Sequence, residues 1–145
     1  MKKVFLDSSV LVAACASKTG ASAYLLGCCR LGKICGYVSL DVIGEARKNV
    51  YLKLGKKSQK RLVFYLKQAN LIFVREAAVE KVAQCEKYIS QKDAPILAAA
   101  LESPASFLVT LDRRHFFQAE VIKFVKPLVI ISPKDFVARY LKKKK

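Results

Sequence analysis

Only eleven carboxylates occur in this 145-residue chain, and four of them stand at positions from which they could act together. Asp7 and Asp112 are two of these, because each closely follows an apolar run that is typical of a buried strand. In open parallel sheets, ligands bind beyond the carboxyl ends of the strands, so we expect both carboxylates at that edge. Capping of a following helix is the alternative role for each of them.

Asp93 and Glu45 are the other two candidates, and both are expected on helices. The residues three, four, seven and eight positions after Asp93 are all apolar, so Asp93 begins the buried stripe of its helix. A plain helix cap is the alternative for Asp93. Glu45 lies on a partly apolar helical face, where Lys48 or Asn49 could instead pair with it locally.

Carboxylates that share one crevice repel one another, and their charged forms need a compensating cation. Oxygen ligands of this kind suit Mg²⁺ or Mn²⁺. In a strongly basic protein, such a site favours phosphodiester cleavage, in which the metal polarises the phosphate and activates water. Three or four acids arranged in this way would therefore be both catalytic residues and ligands of such an ion.

Short apolar segments that alternate with helical segments predict the scaffold that positions these acids. The predicted strands are Lys3–Leu6, Ile34–Ser39, Leu71–Val74, Phe107–Leu111 and Leu128–Ile131. Strands that alternate with helices are typical of a parallel sheet covered on both faces. With no internal repeat or linker, residues 1–141 are predicted to form one α/β domain of about five strands, followed by a basic tail at residues 142–145.

The sequence around the four acids resembles the acidic motifs of the PIN domain family. The motifs are VFLDSSVLVAA around Asp7, VIGEA around Glu45, KDAPILAAAL around Asp93 and LVTLDRRHF around Asp112. The resemblance extends over nearly the whole chain, and the two C-terminal motifs are its most specific part.

The resemblance implies a Rossmann-like, three-layer α/β/α sandwich with a mostly parallel, about five-stranded sheet. It implies that the four acids bind one or two divalent ions, and that Ser8 and Thr110 orient the ions or a water molecule. The first motif of the family usually reads Asp-Thr-Asn, whereas here Ser8 keeps the hydroxyl and Ser9 replaces the asparagine. Many members are metal-dependent ribonucleases, among them VapC-type toxins that pair with an antitoxin, and a homodimer is also implied.

The basic residues indicate a polyanionic partner. The net charge is +16, and no acid occurs between Glu45 and Glu76, where Tyr51, Phe64 and Tyr65 lie among the basic residues. Such a surface suits single-stranded RNA, whose bases stack on aromatic rings. The alternative is a solvated lysine-rich face with the aromatic residues in the core. The candidate RNA-binding residues are Arg47, Lys48, Lys56, Lys57, Lys60, Arg61, Arg113 and Arg114.

Three residues that directly follow Asp112 are expected at the rim of the site. Arg113 and Arg114 could hold phosphates there. His115 is the single histidine of the chain, and we expect it to be a structural residue at the rim, with proton transfer as the alternative.

The cysteines and apolar segments bear on location. Five cysteines with one histidine and no Cys-x-x-Cys pair favour reduced, mostly buried thiols in the cytoplasm. No apolar run reaches the length of a membrane span, so no membrane association is expected. The segment up to Cys15 also resembles a lipoprotein signal, but a carboxylate such as Asp7 costs about 2.5–3.5 kcal/mol at the centre of an inserting helix.

Together these features predict a metal-dependent endoribonuclease that cleaves RNA phosphodiester bonds and serves as the toxin of a toxin–antitoxin pair. The alternative is a catalytically weak PIN-like module that binds RNA or protein within a larger complex. The sequence leaves open the RNA substrate, the choice between Mg²⁺ and Mn²⁺, and the distinction between a toxin and a housekeeping nuclease.

Overall fold

The computed structural model describes residues 1–141, and a five-stranded, entirely parallel sheet lies at its centre. The strands are β1 (Lys2–Leu6), β2 (Ile34–Ser39), β3 (Ile72–Val74), β4 (Phe107–Val109) and β5 (Val129–Ile131). Their order is β3-β2-β1-β4-β5, so the winding reverses between β1 and β4. That reversal opens a crevice at the carboxyl ends of these two strands.

Helices separate the strands and cover both faces of the sheet. They are α1 (Ser8–Ala16), α2 (Ala21–Arg30), α3 (Leu40–Lys53), α4 (Lys56–Gln68), α5 (Val79–Cys85), α6 (Ala94–Glu102), α7 (Arg113–Phe116), α8 (Ala119–Val125) and α9 (Pro133–Phe136), which continues as a π-helical turn over Val137–Leu141. Helix α1 packs on α2, α3 and α4, and α5 packs on α6. Because crossovers between parallel strands are right-handed as a rule, the reversal of the strand order puts these two groups on opposite faces, in agreement with the predicted α/β/α sandwich.

The central strand shows why the sheet is stable. Val4, Phe5 and Leu6 of β1 are completely buried, as expected for a parallel strand covered on both faces. Cys15, which would carry the lipid under the lipoprotein interpretation, is also fully buried. Among the described residues no single helix is long and apolar enough to span a membrane, and α1 and α2, bent by 103°, meet that test only as a pair.

Some elements differ from those expected. The sequence over Ala77–Ile89 predicts a helix, of which only Val79–Cys85 is helical in the structure, and the sequence pattern predicts no helix at the positions of α7 and α8. These two helices have four and seven residues, too few for a helical apolar period to stand out in the sequence. The predicted basic tail at 142–145 lies outside the described residues.

Candidate active site

A cleft of about 280 Å³ opens beside the carboxyl ends of β1 and β4, and all four predicted acids line it. Asp7 directly follows β1, and Asp112 lies three residues beyond the end of β4. Glu45 comes from α3, and Asp93 lies immediately before α6. The remaining lining residues are Ser8, Ser9, Val12, Ala13, Asn49 and Lys53. Four elements that are distant in sequence thus bring the four carboxylates to one place.

Asp7 is the most buried of these acids, with 4% of its surface exposed. The hydroxyls of Ser9 and Thr110 both donate to its Oδ2 atom, each at 2.7 Å. Burial raises the pKa of Asp7 above its ordinary value of 3.8; the hydrogen bonds from Ser9 and Thr110 lower it, and the charge of Glu45 raises it again. The carboxylate is therefore held in one orientation but carries a charge that the surrounding protein does not favour.

The same hydroxyls fix the segment that follows β4. Ser9 Oγ accepts a hydrogen bond from the Leu111 amide at 3.0 Å, and Thr110 Oγ1 accepts one from the Asp112 amide at 3.0 Å. The serine that stands in place of the family's usual asparagine therefore bridges Asp7 and the segment that carries Asp112. This contact joins residues about a hundred positions apart, so the sequence offers no signal for it.

Glu45 has a hydroxyl partner of its own. Ser8 Oγ donates to Glu45 Oε1 at 2.9 Å, so a hydroxyl holds one oxygen of this carboxylate. Within residues 1–141, no lysine or arginine nitrogen lies within 4.0 Å of a carboxylate oxygen, so the expected local alternative of a Lys48 ion pair does not form.

Helix capping, the alternative considered for three of the acids, accounts for only one of them. Asp7 and Asp93 occupy the N-cap positions of α1 and α6, but neither side chain accepts a capping hydrogen bond. Asp93 Oδ2 instead accepts from Ser90 Oγ at 2.9 Å, a contact that sequence reasoning did not identify. Asp112 does cap α7, because its Oδ1 atom accepts from the His115 amide at 3.1 Å.

His115 lies at the rim, as expected, but it also contacts the acids. Its Nδ1 atom lies 2.9 Å from Asp112 Oδ2 and 3.9 Å from Asp93 Oδ2. One possible ligand atom from each of these three residues lies within 4.8 Å of the other two. The three side chains are therefore close enough to share one divalent ion.

The predicted RNA-binding residues lie on two surfaces. Arg47, Lys48, Lys56, Lys57, Lys60, Arg113 and Arg114 are exposed, whereas Arg61 is half-buried. Arg61 Nη1 donates to the Cys15 carbonyl at the end of α1, so this arginine also stabilises the fold. Tyr51 and Phe64 are 71% and 45% exposed, so these two aromatic residues are not part of the core.

A second depression, which we call the basic depression, lies beside α4 and has a volume of about 490 Å³. It is lined by Lys18, Lys57, Lys60, Arg61, Phe64 and Tyr65. On the other side of the site, Arg114 lines a depression of about 470 Å³ together with Ser90 and His115. The Arg113 guanidinium lies over the Phe117 ring, 5.2 Å from its centroid.

Comparisons with known proteins agree with this architecture. The family model described as PIN domain matches residues 3–114, a range that includes all four acids. One similar structure is a chain of the VapBC2 complex of Rickettsia felis, solved bound to a DNA fragment from its promoter. It is 19% identical to this chain and superposes with a TM-score of 0.66; the match covers 90% of this chain and 98% of the VapBC2 chain. A chain of FitAB bound to the IR36 DNA fragment is 20% identical, with a TM-score of 0.59 over 98% of this chain and 99% of its own. At these identities the two structures support the fold alone. No curated protein sequence matches significantly.

Proposed function

The chain belongs to the PIN domain family, and from this premise we propose that it is a divalent-metal-dependent endoribonuclease that serves as the toxin of a toxin–antitoxin pair. The observation that carries the proposal is the cleft, in which four carboxylates converge while no lysine or arginine lies within ion-pairing distance among the described residues. In a chain with a net charge of +16, such a site is unusual unless a cation completes it.

The donor set fits Mg²⁺ or Mn²⁺. The residues that would hold the ion are Asp7, Glu45, Asp93 and Asp112, all of which offer oxygen atoms to the cleft. When bound, the ion supplies positive charge that polarises the scissile phosphate and activates a water molecule.

The chain's own residues contribute orientation. The hydroxyls of Ser9 and Thr110 hold one oxygen of Asp7, and Ser8 holds one oxygen of Glu45. A hydroxyl donor fixes the position of a carboxylate but leaves its negative charge in place, whereas a lysine or arginine would also neutralise that charge. The carboxylates are thereby arranged before any ion arrives, which reduces the cost of ordering them on binding.

RNA is the proposed substrate because the acidic cleft belongs to a chain with a net charge of +16. Arg113 and Arg114 directly follow Asp112 and would hold phosphates next to the scissile bond. The basic depression combines lysines with the exposed ring of Phe64, on which an unpaired base could stack. The lysines of α4 would contact phosphates of any RNA sequence, since backbone contacts carry no sequence information.

An antitoxin partner is supported by the VapBC2 and FitAB complexes that share this fold. The acids form a negative patch on a basic protein, so an inhibitor that inserts an arginine into the cleft would compensate their charge. A homodimer is proposed from the family resemblance alone. The five cysteines are free thiols, four of them buried, which agrees with our proposal of a cytoplasmic location.

The nuclease proposal is tested with purified protein and single-stranded RNA. Cleavage is expected with Mg²⁺ or Mn²⁺ and should stop when EDTA is added. Asp93→Asn should remove most of the activity, whereas Asp41→Asn, an exposed carboxylate in the first turn of α3, is the matched control and should cleave normally. Cleavage that persists at full rate in EDTA would exclude the metal mechanism.

Two other outcomes would identify the alternative functions. Tight RNA binding without cleavage, under conditions in which the ion binds, would favour the catalytically weak binding module. Affinity capture of the protein from its native host should recover a small partner protein that inhibits cleavage. If no partner is recovered at any salt concentration, the toxin assignment fails, but the nuclease assignment stands.

A further inference from the structure

The contact between His115 and two of the acids adds a chemical element that an all-carboxylate site lacks. We infer that His115 is a nitrogen ligand of the metal ion, together with Asp93 and Asp112, and that the site therefore selects a first-row transition ion such as Mn²⁺ over Mg²⁺. This inference rests on the proposed metal-dependent function and specifies which ion that site takes.

Geometry is the first support. The His115 Nδ1 atom faces both acids, at 2.9 Å from Asp112 Oδ2 and 3.9 Å from Asp93 Oδ2. An octahedral ion with bonds of about 2.1 Å places neighbouring ligand atoms about 3 Å apart and opposite ones about 4 Å apart. Since one ligand atom of each residue lies within 4.8 Å of the others, only small side-chain movements separate this arrangement from a coordinated one.

The position of His115 is fixed by its local structure. The residue lies in the one-turn helix α7, whose first amides are anchored because Asp112 Oδ1 accepts from the His115 amide at 3.1 Å. The next residue, Phe116, is completely buried and ties this turn to the core. The side chain of His115 is 46% exposed, so the fold does not depend on the imidazole itself.

Charge is the second, independent support. Among the described residues, His115 is the only basic side chain within 4.0 Å of any carboxylate oxygen, although the chain is rich in lysine and arginine. At 2.9 Å from a carboxylate oxygen, His115 Nδ1 is a hydrogen-bond donor in the metal-free protein. When an ion replaces this proton and Nε2 carries the remaining one, the neutral imidazole presents its Nδ1 lone pair to the metal, unlike a charged lysine or arginine. The one basic side chain in contact with the acids is thus also one that can bind a metal.

The choice of ion follows from ligand chemistry. Mg²⁺ strongly prefers oxygen ligands and keeps much of its water, whereas imidazole favours the first-row transition ions. A site with two carboxylates and one imidazole therefore has a stronger preference for Mn²⁺ over Mg²⁺ than an all-oxygen site has. Mg²⁺ can still bind through the carboxylates, but with little benefit from His115.

The test uses the full chain without a polyhistidine tag, so that His115 is its only histidine. The metal-free protein is titrated calorimetrically with MnCl₂ and, separately, with MgCl₂ in a buffer without amines. The Mn²⁺ complex is then examined by electron spin echo spectroscopy, in which a directly bound imidazole gives a ¹⁴N modulation. His115→Asn is the matched variant, because its amide can still donate a hydrogen bond to Asp112 but is a poor ligand for Mn²⁺.

The wild-type complex should show ¹⁴N modulation and should bind Mn²⁺ more tightly than Mg²⁺. In His115→Asn the modulation should disappear and Mn²⁺ affinity should fall by at least about tenfold, with little change for Mg²⁺. Mn²⁺ binding without ¹⁴N modulation, or an equal loss of affinity for both ions, would overturn the inference but leave the proposed nuclease intact. If neither ion binds and cleavage continues in EDTA, both the inference and the proposed function fail.

Discussion

Replacing Asp7 with asparagine should stabilise the metal-free protein even though it removes a proposed metal ligand. Asp7 is 4% exposed, and burying a charged carboxylate costs several kcal/mol. The hydrogen bonds from Ser9 and Thr110 offset part of that cost, since each is worth about 1.5–3 kcal/mol to a charged acceptor and about 1 kcal/mol to a neutral one. The amide oxygen of asparagine keeps both hydrogen bonds at the lower, neutral-acceptor value. We therefore expect the free energy of unfolding to rise by about 1–2 kcal/mol at pH 7. For a domain of this size, that gain corresponds to an increase in Tm of roughly 3–6 °C.

The effect should depend on pH with a definite sign. Because the pKa of Asp7 is raised in the folded protein, the folded state retains a proton that the unfolded chain has already released. Wild-type stability should therefore fall as the pH rises from the ordinary value of 3.8 through the native pKa. The asparagine variant lacks this dependence. Its advantage should be absent below the ordinary pKa and complete above the native pKa of Asp7.

The assay is a series of thermal melts in EDTA between pH 3 and pH 8, with two controls. Asp7→Ala also removes the charge but leaves the Ser9 and Thr110 hydroxyls without their acceptor, so it should melt below Asp7→Asn. Asp41→Asn, on the exposed first turn of α3, should melt like the wild type. An Asp7→Asn protein that melts below the wild type at pH 7 would refute the argument, because the hydroxyl bonds to the charged carboxylate would then outweigh the cost of burial.

Three further predictions concern RNA binding and the hydroxyl contacts. Each phosphate contact contributes about −0.7 to the slope of log K against log salt concentration. When glutamine replaces the three exposed lysines Lys56, Lys57 and Lys60, this slope for single-stranded RNA should therefore become shallower by roughly 2. Turnover at saturating RNA should not change. An unchanged slope would show that this face is only solvated. Replacing Arg113 and Arg114 with glutamine should lower both the affinity for RNA and kcat, the latter by about tenfold or more, because the scissile phosphate is positioned less well. A loss of affinity with unchanged kcat would contradict a role of these arginines in positioning the phosphate. Thr110→Val should lower the free energy of unfolding in urea by about 1–3 kcal/mol, since Asp7 loses a hydroxyl donor and the part-buried Asp112 amide loses its acceptor. An unchanged value would show that other groups replace these contacts.

The sheet and the position of Asp7 could be predicted from the sequence because both depend on local patterns. The second half of β1, from Val4 to Leu6, is buried on both faces and is continuously apolar, and the first polar residue after it marks the end of the strand. Ends of parallel strands meet at one edge of the sheet. The convergence of Asp7 and Asp112 therefore follows from topology without any knowledge of side-chain contacts.

The partners of the acids could not be predicted in the same way, because they depend on tertiary structure. Ser9 and Thr110 are distant in the chain, and only the pairing of β1 with β4 brings their hydroxyls to the same oxygen of Asp7. The approach of His115 to Asp93 likewise depends on helix α7, which is too short to give a periodic signal. Even Ser90, three residues before Asp93, looks like an ordinary loop serine until its hydroxyl is seen on the carboxylate.

The identity of these partners explains how an acidic cleft can exist on so basic a protein. Lysines and arginines occur throughout the sequence, yet the side-chain groups that hydrogen-bond the four acids are the hydroxyls of Ser8, Ser9, Ser90 and Thr110 and the imidazole of His115. A lysine or arginine in their place would stabilise the metal-free protein, but it would also neutralise the carboxylates and compete with any incoming cation. Hydroxyl donors instead fix the carboxylates and leave their mutual repulsion unrelieved. The folded protein therefore retains an unfavourable charge at this cleft, and the proposed divalent ion, if bound only to the folded state, would relieve it, so that metal binding and stability would be linked.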